Sequence, residues 1–335
     1  MQTEQIIFTA PSIAELKTQT LPALDKDKVL VEMEYTAISA GTERDNLLGR
    51  QNTGDVFPKA YLGYSGIGYV RALGDDGKKF NIGDRVIVIW GNHASHCVVS
   101  EDQLVKIDDE NIRSLEAAFT FIASFPLAGL RKTRLEIGES CLIMGQGILG
   151  IIATQLARLA GAIPVIAVDL REDRRKLALE LGADFAFSPK DADFTEQVKK
   201  ASGGKGVNTV VEVTGISAAM KQALECCAPM ARVSLLGCTR VSDCGIDYYQ
   251  LVHRPGISLI GAHTNARPTQ ESYPYHWTHQ DDCKALLRML GAKRLNIQRI
   301  ISEVHTPEEA PEIYRRLAED PLFPLGVAFN WKNTI

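Results

Sequence analysis

The sequence predicts an α/β protein in which a doubly wound parallel sheet follows a β-rich segment, and three observations carry that expectation. Residues 139–169 read as strand, glycine turn, helix and strand. The apolar run Ser140-Cys141-Leu142-Ile143-Met144 breaks into Gly145-Gln146-Gly147-Ile148-Leu149-Gly150, a helical pattern covers 151–159, and a second apolar run at 163–168 ends on Asp169. Two further strand–helix passes follow, through Thr209-Val210-Val211-Glu212-Val213-Thr214-Gly215 and Ala231-Arg232-Val233-Ser234-Leu235-Leu236-Gly237, and the run 257–261 extends the same sheet. Ahead of them, residues 5–35 alternate short apolar runs with turn signals, as in Lys28-Val29-Leu30-Val31-Glu32-Met33-Glu34, and further strands read at 61–70, 82–88 and 94–99.

Each part of the glycine turn has its own physical task. Gly145 permits the sharp exit from the first strand. Gly147 has no Cβ to keep backbone amides from a pyrophosphate, and Gly150 lets the helix pack closely on the strand. The helix N-terminus, from Ile148 and Leu149 onward, offers unpaired N–H groups and partial positive charge. Asp169 stands where a carboxylate accepts both hydroxyls of an adenosine ribose and repels a 2′-phosphate. The expected cofactor is therefore NAD(H), with NADP(H) open because Arg171, Arg174 and Arg175 are near. The candidate cofactor residues are Gly145, Gln146, Gly147, Ile148, Leu149, Gly150, Asp169, Leu170, Arg171, Thr214 and Gly237. The plainer alternative is a glycine-rich turn that binds nothing, with Asp169 capping the next helix.

Length and composition narrow the classes. A chain of 335 residues has room for two domains, and 45% hydrophobic with 23% charged residues is ordinary for a soluble globular protein. A formal net charge of −4 argues against an electrostatic grip on nucleic acid or on an anionic membrane. No run is apolar for long enough to span a bilayer, and Met1-Gln2-Thr3-Glu4-Gln5 lacks the blocks of a secretory signal, so a cytoplasmic location is expected. The seven cysteines, at 97, 141, 226, 227, 238, 244 and 283, include no C-x-x-C pair. Neither a disulfide framework nor a four-cysteine zinc site is expected, and most of the thiols, Cys97 and Cys238 among them, read as apolar packing groups.

After Asp169, residues 171–181 are amphipathic and end on Gly182-Ala183-Asp184. Residues 264–282 are irregular and aromatic. Their His276 and His279 lack the context of a helical metal site and read as part of a loop over the site or of a subunit contact. Helical patterns at 282–290 and 308–317 and a terminal strand at 326–329 complete the chain.

The order of these elements, together with Gly83-Asp84-Arg85-Val86, Gly182-Ala183-Asp184, Glu212-Val213-Thr214-Gly215 and Pro307-Glu308-Glu309-Ala310, resembles the medium-chain dehydrogenase/reductase superfamily over nearly the whole chain. The resemblance implies a GroES-like catalytic domain from 1–122 and 268–335, a Rossmann domain at 123–267, an active site in the cleft between them, and a homodimer or homotetramer. Many members hold a catalytic zinc through a Cys-Gly-Thr-Asp-like and a Gly-His-Glu segment. Here the matching segments read Ala40-Gly41-Thr42-Glu43 and Gly63-Tyr64-Ser65, and the region of a further ligand reads Phe121-Ile122-Ala123-Ser124. None of these supplies a thiolate or an imidazole, so no metal is expected.

Without a Lewis acid, protein groups must manage the proton. Thr42 matches the relay hydroxyl of zinc-containing relatives, Asp45 lies near their relay histidine, and Tyr64 occupies a ligand position with a phenol able to donate or accept. These three are the candidate catalytic residues. The alternative for Tyr64 is a filler of the empty metal cavity. Glu43, Trp90 and His93 are candidate contacts to a small-molecule substrate, although Glu43 could instead pair with Arg44 to brace its loop. The expected reaction is hydride exchange between a nicotinamide and a secondary alcohol or ketone, on a polyol or sugar derivative. A quinone or enone reductase and a non-catalytic nucleotide-binding relative are the alternatives.

Overall fold

The computed structural model describes residues 1–54, 56–237 and 245–332; Cys238 and Cys244 lie outside the described residues. By their contacts the residues divide into two compact units, one of 1–122, 283–293 and 297–335, the other of 123–282 and 294–296. Residues 268–282 group with the second unit, whereas the sequence reading returned the chain to the first at 268.

The first unit opens with an antiparallel hairpin, β1 (Gln2–Ala10) and β2 (Ile13–Thr20). Next come β3 (Lys28–Ala37), helix α1 (Ala40–Leu47), β4 (Ser65–Leu73), β5 (Arg85–Ile89), β6 (His96–Ser100) and β7 (Leu104–Lys106). In β3, inward Val29, Val31 and Met33 alternate with half-buried neighbours, the period-two pattern of a strand with one face on the core. They pack with Ile6, Phe8, Val86 and Val88 into one apolar cluster.

The second unit is built on strands that are buried on both faces. Cys141–Met144 (β8) is fully buried and feeds α2 (Ile148–Leu159), and Val165–Val168 (β9) repeats the pattern. After them come β10 (Phe185–Phe187), β11 (Val207–Glu212), β12 (Cys227–Leu235) and β13 (Ser258–Gly261). All pairings are parallel and the spatial order is β10-β9-β8-β11-β12-β13. That is the 3-2-1-4-5-6 order of a Rossmann sheet, with its switch point between β8 and β11, where the carboxyl ends of the strands open a crevice for a dinucleotide. Cys226 ends a helix and Cys227 starts β12, so the adjacent thiols share no helix. Burial pushes the thiols of Cys97, Cys141, Cys226 and Cys227 up to about 12, which makes them inert packing groups.

The irregular stretch 264–282 is pinned within the second unit. Asp282, fully buried, accepts from Arg131 Nε at 2.9 Å and Arg267 Nη1 at 3.2 Å, and the Arg131 guanidinium lies 3.6 Å from the Trp277 ring. The chain then forms α3 (His279–Gly291), and the first unit resumes with β14 (Ile301–His305), α4 (Ala310–Glu319) and β15 (Gly326–Asn330). Strands β14 and β15 join β3, β4, β5 and β7 in the larger sheet, and β6 pairs on β3. No described helix is long and apolar enough to cross a membrane.

Candidate active site

The carboxyl edge of the parallel sheet is built by close backbone approaches. Gly145 has φ +93°, a conformation that costs a larger residue strain. A Cβ on Gly150 would stand 1.9 Å from the Gly145 carbonyl oxygen, so the first turn of α2 reaches the strand end only because that atom is missing. Gly147 caps α2 over open space. The nearest atom to a Cβ built there is Arg174 Nη1 at 3.9 Å. A cradle with free helix amides and no side chain in the way fits a pyrophosphate.

Asp169 spans two loops. Its Oδ2 accepts from the Gln146 backbone N–H at 2.7 Å and its Oδ1 from that of Arg171 at 2.8 Å, leaving lone pairs on both oxygens for ribose hydroxyls. Gln146 turns inward instead of toward a ligand. Its buried amide donates to the Ile143 carbonyl at 3.2 Å and accepts from the Thr154 hydroxyl at 3.0 Å. Leu170 is exposed, Arg171 is drawn to Asp173, and Arg175 caps the carbonyls of Asp169 and Leu170. Arg174, one of the three arginines that keep NADP(H) open, lies over the glycine turn. Burial lowers its pKa, and Asp169 opposes that shift.

Thr214 and Gly237 are brought together by a carboxylate that sequence reasoning had left unassigned. Glu212 accepts from the Thr214 N–H at 2.7 Å, from the Thr214 hydroxyl and from the Gly215 N–H at 3.2 Å. Its own carbonyl takes the N–H groups of Leu236 and Gly237 at 3.0 and 2.7 Å. Burial pushes this carboxyl up, against the pull of those hydrogen bonds. An acid at the end of an apolar strand, as at Asp169, was the sequence clue.

In the first unit, α1 carries Thr42, Glu43 and Asp45. Glu43 folds back onto its own N-terminus, where Oε1 accepts the Ser39 N–H at 2.8 Å. Its Oε2 accepts the Tyr314 hydroxyl at 2.5 Å and lies 3.1 Å from His93 Nε2. His93 Nδ1 meets Thr36 Oγ1 at 2.7 Å, and Thr36 also accepts the Trp331 indole N–H at 2.9 Å. Glu43 is 2% exposed and His93 0%, so these expected substrate contacts are buried and fully engaged by protein partners. The alternative Glu43–Arg44 pair is also not formed; Arg44 donates to the Ala318 carbonyl at 3.1 Å. Gly63, with φ +79°, makes room for this network, because a Cβ there would lie 2.3 Å from the His93 ring.

Tyr64 is half-buried and its hydroxyl hydrogen-bonds Ser39 Oγ. Its ring adjoins Trp90 at 5.4 Å and Phe121 at 5.9 Å, with Trp90 and Phe121 edge-to-face at 5.1 Å. Thr42 is half-buried, and Asp45 pairs with Arg50 at 2.9 Å. Ser65 donates to the Ala118 carbonyl at 2.6 Å. The positions matching zinc ligands thus offer a methyl group, a phenol bonded to a serine and a buried hydroxyl bonded to backbone, a donor set that does not fit zinc. Among the described residues no group of three or more His, Cys, Asp or Glu side chains could hold a metal ion.

A GroES-like unit and a Rossmann sheet with its glycine cradle define a two-domain, nicotinamide-dependent dehydrogenase. The chain matches the family descriptions "Alcohol dehydrogenase GroES-like domain" over residues 25–119 and "Zinc-binding dehydrogenase" over 149–278. It is 23% identical to D-guloside 3-dehydrogenase of Escherichia coli (strain K12), over 97% of this chain and 100% of that one. It is 32% identical to L-threonine 3-dehydrogenase of Pyrococcus furiosus, over 53% of this chain and 49% of that one. Among solved structures, a zinc-binding dehydrogenase from Sinorhizobium meliloti 1021 bound to NADP superposes with a TM-score of 0.83 at 21% identity, covering 98% of this chain and 99% of that one. Galactitol-1-phosphate dehydrogenase from Escherichia coli gives 0.84 at 18% identity with the same coverage. The chain belongs to the medium-chain dehydrogenase/reductase superfamily.

Proposed function

We propose that the protein is a zinc-independent, NAD(H)-preferring dehydrogenase that oxidises a secondary alcohol of a sugar or polyol derivative, or reduces the matching ketone. The observation that carries the metal-free reading is the Tyr64–Ser39 hydrogen bond beside Ala40, where a metal-binding member needs a thiolate and an imidazole. The names of D-guloside 3-dehydrogenase and galactitol-1-phosphate dehydrogenase support a polyhydroxylated substrate. The bound nicotinamide supplies or accepts the hydride.

The chain's own groups do the rest. The α2 amides and the Gly147 cradle hold the pyrophosphate, and Asp169 accepts the ribose hydroxyls and disfavours a 2′-phosphate. Tyr64, with Ser39 as its hydroxyl partner, holds the proton exchanged with the substrate oxygen, and Thr42 on the first turn of α1 is a second hydroxyl for that transfer. We place the enzyme in the cytoplasm as a homodimer or homotetramer.

The test combines elemental analysis of the purified protein with steady-state turnover of hexosides, hexitols and ketoses on NAD(H) and NADP(H). Sub-stoichiometric zinc, activity that survives chelation and a lower KM for NAD(H) are expected. Stoichiometric zinc, or activity lost to chelator and restored by zinc, would overturn the metal-free reading. The Tyr64, Trp90 and Phe121 rings also suit an activated C=C substrate, and enones and quinones in the same panel separate the two readings.

A further inference from the structure

The segment by which the chain leaves the first unit and the helix by which it returns enclose a cavity of about 420 Å³. None of the residues assigned above to cofactor, substrate or proton transfer lines it. Its size is that of a small-molecule site. One wall is the stretch 106–112 that follows β7, and the other is the C-terminal part of α3. The first wall is held in shape by Arg85, whose guanidinium donates to the Asp109 carbonyl at 2.7 Å and to the Ile112 carbonyl at 3.0 Å. Asp109 Oδ1 accepts the Asn111 N–H at 2.9 Å and its side-chain amide at 3.0 Å. Its Oδ2 faces Gly291, where a Cβ would stand only 2.4 Å away. Glycine thus admits a carboxylate to the C-terminal end of a helix, the pole at which the macrodipole opposes negative charge. A bound cation would resolve that conflict.

On the same face of α3, Arg288 and Lys284 stand three and seven residues before Gly291. The lining therefore turns from negative to positive within one helical turn, over a rise of about 4.5 Å. Lys106 adds less positive charge, because Asp84 at 2.8 Å and Asp108 at 3.8 Å already draw it. Ile107, Ile112 and Leu287 complete the lining with apolar surface. We propose that this cavity is a second small-molecule site, which takes a free α-amino acid with an apolar side chain. The ammonium group meets Asp109 Oδ2 and the end of α3, the carboxylate meets Arg288 and Lys284, and the side chain lies on the apolar residues. A zwitterion satisfies both charged ends at once. A simple anion is opposed by the carboxylate, and a simple amine by the two cations.

Calorimetric titration of the intact protein with L-leucine, isocaproate and isoamylamine tests this, since the last two each keep the side chain and one charge. Saturable leucine binding is expected, with either analogue weaker by roughly 10-fold or more, the size of one charge-assisted contact. Arg288→Glu, at an exposed position, should weaken leucine by a similar factor and leave NADH affinity unchanged. Gly291→Ala should abolish leucine binding by displacing Asp109. No saturable leucine binding, equal binding of isocaproate, or leucine affinity indifferent to Arg288→Glu overturns the proposal. Leucine that NADH displaces competitively would occupy the cofactor crevice, and that result overturns it too.

Discussion

Replacing Glu43 by alanine is expected to cost the protein much of its stability, and the hydrogen-bond geometry sets the size of the loss. Three buried donors point at this one carboxylate: the Ser39 N–H at 2.8 Å, His93 Nε2 at 3.1 Å and the Tyr314 hydroxyl at 2.5 Å. Removing the acceptor strands all three where water does not reach, at about 1–3 kcal/mol each. The ring nitrogen of His93 can shed part of its share by changing tautomer. The expected cost is therefore about 3–6 kcal/mol, a large part of the usual margin of about 5–15 kcal/mol. Tyr314→Phe removes one donor and keeps the ring that packs on Phe8, so it should cost about 1.5–3 kcal/mol, the range for a bond to a charged group. The double variant strands one donor fewer than Glu43→Ala alone. Its loss should fall short of the sum of the single losses by about 1–3 kcal/mol. Urea unfolding followed by tryptophan emission reads this directly, because Trp331 donates to Thr36 in the same network. A Glu43→Ala loss below about 1 kcal/mol, or strict additivity with Tyr314→Phe, would refute the reasoning.

Gly150→Ala places a carbon 1.9 Å from the Gly145 oxygen and must push α2 off its strand; NADH affinity measured by fluorescence titration should fall at least ~10-fold. Asp169→Ala removes the ribose acceptor and the charge beside Arg174, so the ratio of kcat/KM for NADPH over NADH should rise by about 10-fold or more. Burial holds the His279 imidazole down at about 3, against an ordinary 6.5. The unfolded chain therefore binds the extra proton first, and stability present above pH 6.5 is lost as pH falls toward 3. His279→Gln should flatten that part of the pH–stability curve, and an unchanged slope would show that His279 does not set it.

The parts of the site that were legible in the sequence are those made by neighbours along the chain. Gly145, Gly147, Gly150 and Asp169 belong to one strand–turn–helix–strand unit, and their spacing alone encodes the cradle. Glu43 was misjudged for the opposite reason. Its partner His93 is 50 residues away and Tyr314 is 271 residues away, and no local pattern shows that a carboxylate on an eight-residue helix faces inward to meet them. Likewise Trp331 reaches Thr36 across 295 residues. Gln146 stood inside the glycine motif and was assigned to the ligand, but its side chain braces Ile143 and Thr154. A motif fixes backbone shape, while the direction of each side chain depends on what packs behind it.

The Glu212 carboxylate has a bearing on how this scaffold can diverge. It stitches the loop leaving β11 to itself through its side chain and to the loop leaving β12 through its carbonyl, with the Gly237 position closed to any β-carbon by the Gly215 nitrogen 2.3 Å away. Residues 213–215 and 236–237 are thus held as a single mechanical part. Changes to either of these short segments should be tolerated only with a matching change in the other, so grafting new specificity here calls for exchanging the pair together.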